Sequence, residues 1–152
     1  MTPKPLASDK VKNYLIFLAI LSAIFSLIAI RGNYILAPPY AVSAYLIVFQ
    51  RDPKYSGKKS LLVTYVLVIG TSDIIHILIG TGLVEIVVNV LIVSAFITFT
   101  DFSHPPAIAL AIFSYLVGDP FDFTVSSILA LSALIISAMI IEKFRLGMSR
   151  QS

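Results

Sequence analysis

The sequence predicts an all-α, polytopic helical membrane protein made of two inverted three-helix repeats, with two short broken helices opening at Pro-Pro. Three observations lead there. First, 58% of the 152 residues are hydrophobic and 12% are charged, against about 25% charged in an ordinary soluble domain. The apolar residues come in long blocks, the pattern of a chain whose solvent is lipid. Second, two stretches share one frame: LAPPYAVSAYLIVFQRDP at 36–53 and SHPPAIALAIFSYLVGDP at 103–120 each open near Pro-Pro, run apolar and close on Asp-Pro. Third, all but one of the basic residues fall into three clusters that six crossings would bring to one face.

The elements follow in order. Residues 1–13 are a basic, cytoplasmic N-terminal tail resembling the head of a signal peptide. The block at 14–30 is long for a signal core and ends in Arg31-Gly32-Asn33 without a small-residue cleavage site, so it reads as a retained span. Further apolar blocks cover 38–50, 61–81, 83–100, 106–118 and 125–141. A full span needs about 20 residues, about 17 at the least. The second and fifth blocks are too short for that: as helices they reach roughly 20 Å against a hydrocarbon core of roughly 30 Å. The chain therefore forms one membrane domain, 1–152, with repeat 1 at about 14–81 and repeat 2 at about 83–142, and no soluble domain.

Lys4, Lys10 and Lys12 precede the first block, Arg51, Lys54, Lys58 and Lys59 follow the second, and Lys143, Arg145 and Arg150 follow the sixth. Six crossings put these on one side, which the positive-inside rule makes the cytoplasm of a cell (inner) membrane, with both termini inside. Pro38-Pro39 fall on Pro105-Pro106, and Asp52-Pro53 on Asp119-Pro120, at one constant offset. Three helices per unit is odd, so the second unit enters upside down, an architecture that recurs in transporters. The basic loop RDPKYSGKK lies inside, and its acidic counterpart GDPFDFT outside.

Proline is tolerated in the first turn of a helix, where an N–H would lack a partner anyway. Pro38, Pro39, Pro105 and Pro106 thus read as helix starts. Because the two helices are short, their lead-ins RGNYILA and TDFSH are expected to dip into the membrane as extended chain, which survives at depth only against protein or a water-filled cavity. Two helix N-termini meeting from opposite sides favour an anion, held by the backbone N–H groups of Tyr40, Ala41, Ala107 and Ile108. The rival reading is that Pro-Pro merely caps ordinary helices at the surface.

Asp73 and His76 lie within a span, on one helix face. Ionisable groups there are costly and often functional. They form either a proton relay or gate, or a structural pair locking two helices. An aspartate on an anion path opposes the anion unless protonated or paired. Proton-coupled movement resolves that, as does a pair turned away from the path. Glu85 reads as interfacial, and Asn89 as bonding a neighbouring helix. His104 can donate to an anion, carry a proton or cap the helix start. Arg31 is expected to snorkel, and Tyr14, Tyr40, Tyr55, Tyr65 and Tyr115 to serve as interface belt and packing.

The chain has no cysteine, which excludes disulfides, thiolate nucleophiles and iron–sulfur clusters. It carries no Gly-rich phosphate loop, HExxH, GxSxG or Cys/His metal constellation. No catalytic residue, metal or cofactor is assigned, and no nucleic-acid partner is expected.

His104-Pro105-Pro106, opening a helix in a small membrane protein, resembles the HPP family, named for that tripeptide. The resemblance covers roughly 14–142. AVSAYLIVF resembles the family's small-residue segment and adds Ser43 to the expected substrate-lining set. SDIIH falls where the family often has Gly-His, and only His76 carries over. Where typical members follow the tripeptide with Gly-Gly-Ala, this chain has Ala107-Ile108-Ala109. Where many have Gln-Pro-Arg-Asn in the basic loop, it has Arg51-Asp52-Pro53-Lys54. Chloroplast and cyanobacterial relatives have been assigned nitrite transport, so the resemblance implies passage of a small monovalent anion. The expected function is a transporter or channel for such an anion, nitrite first, acting as a homo-oligomer, dimer or trimer. The alternatives are an intramembrane acid–base enzyme using Asp73, His76 and His104, and a non-transporting assembly subunit.

Overall fold

The computed structural model describes the backbone of residues 7–50 and 53–149 and the side chains of 9–50 and 55–144. Lys4, Arg51, Asp52 and Arg150, and the side chains of Pro53, Lys54 and Arg145, lie outside the described residues. The described chain is helical, without a strand. Its elements are α1 (Ala7–Ala29), α2 (Ala37–Phe49), α3 (Pro53–Ser56), α4 (Lys58–Leu78), α5 (Leu83–Phe99), α6 (Pro106–Phe113) and α7 (Pro120–Ser149), with 3₁₀ turns at Tyr34–Leu36 and Ser114–Leu116. α1, α4 and α7 are long and apolar enough to cross a membrane. α5, with 17 residues, covers roughly 26 Å.

Each helix turns one stripe inward. α1 buries Ile20, Ile24 and Ile28, one residue per turn, while Leu15, Leu18 and Phe25 face out. α5 buries Asn89, Val93 and Ile97 and exposes Val84, Val87, Leu91 and Ile92, so it sits at the edge with most of its surface facing outward. The helix ends follow from local chemistry. α1 stops where Gly32 takes a φ of 72°, which closes its last turn. α4 stops at Gly80, with a φ of 127°. Pro39 and Pro106 stand in the first turns of α2 and α6.

α1, α7, α4 and α5 pack in that order as one layer. On it lie the two short helices, α2 across α1 and α7, and α6 across α4 and α5, touching each other at the centre. The main packing pairs are unchanged when α1, α2 and α4 are exchanged with α5, α6 and α7. Arg31, just after α1, pairs with Asp122 at the start of α7. Lys58, at the start of α4, pairs with Glu142 near the end of α7. His104 reaches the Tyr55 carbonyl. These contacts place 55–58, 101–104 and the end of α7 at one face, called here the terminal face, and 31–33 and 119–122 at the opposite face.

Two expectations need correction. The lead-in RGNYILA is not extended: it is a turn followed by a 3₁₀ turn that runs straight into α2. Leu36 donates to the Asn33 carbonyl and Ala37 to that of Tyr34, which makes this segment a continuation of the helix. Only the second lead-in, TDFSH, is irregular chain. Arg31 does not snorkel freely, because Asp122 is within reach and takes its guanidinium.

Candidate functional site

The site is built where the two Pro-Pro helix starts meet. The chain from Asp101 to His104 is irregular and carries the imidazole inward, where Ser43 and the Tyr55 carbonyl hold it. Ser43 lies one turn after Pro39 on α2. The His104 Nε2 is 2.8 Å from Ser43 Oγ. Ser43 is six residues from the end of α2 at Phe49, so the junction sits roughly 9 Å inside the terminal end of that helix. α6 thus starts within the bundle.

A third helix completes the junction. Tyr65 of α4 brings its hydroxyl to 2.6 Å from Ser43 Oγ and donates to the Pro39 carbonyl at 3.1 Å. Ser43 Oγ lies 2.9 Å from that same carbonyl. His104 Nδ1 lies 2.7 Å from the Tyr55 carbonyl. A carbonyl only accepts, so Nδ1 bears the hydrogen and Nε2 of a neutral ring is the acceptor. The Tyr65 ring lies between those of Tyr40, 5.2 Å away, and His104, 5.5 Å away. Tyr40 donates its hydroxyl to the Ser127 carbonyl of α7 at 3.1 Å. Tyr40, Ser43, Tyr65 and His104 are all 0% exposed. The site is closed in this conformation.

Pro39, Tyr40, Ser43, His104 and Pro106 are buried at or beside this junction, whereas Pro38 and Pro105 are exposed. Two of the backbone donors expected for an anion are engaged within the chain. The Ala107 N–H donates to the His104 carbonyl and that of Ile108 to the Pro105 carbonyl, each at 3.0 Å. At α2, Ala37 donates to Tyr34, and Pro38 and Pro39 have no N–H. The α6 start thus has its Ala107 and Ile108 N–H groups already engaged. The polar side chains hold the centre instead.

Tyr65 was missed as a site residue, and with Tyr40 it leaves the interface-belt group: both rings are fully buried with bonded hydroxyls. A signal was present. Tyr65, Ser72 and His76 recur at helical spacing on α4, so one stripe carries a polar group at several depths.

Asp73 and His76 belong to a second cluster toward the opposite face. Asp73 accepts the Thr124 hydroxyl of α7 at 2.6 Å. His76 meets the Tyr115 ring edge-on, centroids 4.2 Å apart. Asn89 bonds a neighbouring helix, as the sequence suggests, donating to Ser72 at 2.9 Å. Asp73 Oδ1, both His76 nitrogens, Asn89 Oδ1 and the Tyr115 hydroxyl are buried atoms without a hydrogen bond among the described residues. His76 follows Tyr65 by eleven residues, roughly 16 Å along α4. Asp73, His76 and His104 therefore do not share one site, and an acid–base centre using all three is not assembled.

A small helical bundle with a polar centre at a broken helix defines a polytopic integral membrane protein. The model of the HPP transmembrane region matches residues 10–151, and the chain belongs to that family. No curated protein and no solved structure matches it.

Proposed function

We propose that the chain passes a small monovalent anion across the membrane, with nitrite the first candidate, through the junction of α2, α4 and α6. The observation that carries this is the 2.8 Å contact between His104 and Ser43, which joins the two Pro-Pro helix starts in a fully buried, hydrogen-bonding centre. Buried polar groups inside a span are costly and mark pathways. The Ser43 and Tyr65 hydroxyls, now bonded within the junction, are the donors that would turn to an oxyanion, with His104 Nε2 joining them when protonated. Nitrite is favoured by the family resemblance.

The orientation proposed is both termini in the cytoplasm of a cell (inner) membrane. It is supported by Lys10, Lys12, Lys58, Lys59 and Lys143 toward the terminal face and by Glu85, Asp119 and Asp122 toward the other. A dimer or trimer would shield the lipid-poor edges of a bundle with two short helices.

The test is nitrite flux into proteoliposomes at mildly alkaline pH, where the membrane-permeant neutral acid is scarce. Saturable flux, blocked by related anions and lost in Ser43→Ala and His104→Gln, is expected. Flux no greater than in empty liposomes for nitrite, nitrate, chloride and formate alike would overturn the anion reading.

A further inference from the structure

The junction has more contacts than hydrogens. Five pairs of atoms lie within bonding range: Nδ1 with the Tyr55 carbonyl, Nε2 with Ser43, Ser43 with Tyr65, Ser43 with the Pro39 carbonyl, and Tyr65 with the Pro39 carbonyl. A neutral His104 brings three hydrogens in all, on Nδ1, Ser43 and Tyr65. The first is committed to Tyr55. With a lone pair on Nε2, the Ser43 hydroxyl must point to it, since two lone pairs would otherwise face each other at 2.8 Å. The Ser43–Pro39 contact then carries no hydrogen.

A fourth hydrogen fits without moving a heavy atom. If Nε2 is protonated, it donates to Ser43 Oγ. The Ser43 hydroxyl turns to the Pro39 carbonyl, and that of Tyr65 donates to Ser43 or to the same carbonyl. The heavy-atom frame thus suits two proton counts.

Among the described residues, no carboxylate or cationic side chain bonds the junction. The titratable group facing His104 from α4 is Tyr65, with Tyr40 of α2 behind it. Tyr55 contributes a carbonyl. α6, from Pro106 to Phe113, carries no titratable side chain, and Asp101 is exposed three residues before His104. A lone imidazolium here is costly, and so is a lone anion. Together they cancel, and the backbone N–H groups of Ala107 and Ile108 are already engaged. We propose that each anion binds with one proton, carried on His104 Nε2, so that transport is electroneutral anion–proton symport. This rests on the anion reading. A proton from water on the entry side joins Nε2, its N–H donates to the anion, and both leave on the exit side, returning the neutral ring.

Nitrite binding to purified protein in detergent tests this, because no membrane leak enters. Calorimetry in buffers of different ionisation enthalpy counts protons per nitrite bound. At mildly alkaline pH one proton taken up per nitrite is expected, with the His104 Nε2 resonance moving to the protonated position in ring-nitrogen NMR of the wild type. His104→Gln keeps a polar side chain but cannot take the proton, and its uptake should fall to zero. Binding without proton uptake and without an Nε2 shift would overturn the symport inference and leave the anion reading standing. Failure of nitrite, nitrate, chloride and formate to bind or flow would overturn both.

Discussion

Tyr65 shows how one hydroxyl can be shared by a fold and a site. Its ring stays packed between Tyr40 and His104 if the hydroxyl is removed. Tyr65→Phe should therefore keep the bundle, at a cost of about 1 kcal/mol for the lost hydrogen bonding, and lower nitrite flux. Unfolding in mixed micelles reads the first quantity and proteoliposome flux the second. An unchanged flux would remove Tyr65 from the pathway. Residues of this kind were only partly legible in the sequence. His104 stood out because a histidine before two prolines has few ordinary uses, and Ser43 through its small-residue segment. Tyr65 looked like any membrane tyrosine, because its partners come from positions 22 to 39 residues away and no local pattern reveals them. The same holds for Arg31, whose partner Asp122 lies 91 residues on.

Among elements, the turn between α4 and α5 separates two roles of glycine. Gly80 has a φ of 127°, which a side chain rarely adopts. Gly80→Ala should cost about 1–3 kcal/mol through backbone strain. A Cβ on Gly82 would stand 2.6 Å from Glu85 Oε2, the far end of a flexible side chain. Gly82→Ala should displace that carboxylate and cost less than Gly80→Ala in the same unfolding measurement. The reverse order would contradict the assignment. At this scale the six apolar blocks and the two short ones were readable, because length and apolar run are local properties. The state of the lead-ins was not. RGNYILA winds into a 3₁₀ turn in which Leu36 and Ala37 donate back, whereas TDFSH stays irregular; both are followed by Pro-Pro, so the prolines do not decide between them.

For the whole molecule, the layer order and the two ion pairs at opposite ends fix which loops share a face, and charge supports the proposed orientation. The chain contains no cysteine, so single cysteines report cleanly. Gly118 is exposed and has open space where a Cβ would stand. Gly118→Cys should react with an impermeant maleimide added to intact cells, and Lys59→Cys only after permeabilisation. The opposite pattern would reverse the proposed topology. The overall plan was legible from the repeated Pro-Pro and Asp-Pro frame. The lateral order of helices was not, because it depends on which stripes fit together.

That order bears on how the molecule is made. α7 packs between α1 and α4, and it supplies both Asp122 and Glu142 to the clasps at its two ends. A nascent chain emerging from the ribosome inserts α1 and α4 long before α7 exists. The groove between them stays open to lipid, and the Tyr40 hydroxyl lacks its Ser127 carbonyl, until α7 arrives. Assembly of the centre thus waits for α7, and a ribosome stalled before α7 would hold an inserted but unlocked bundle.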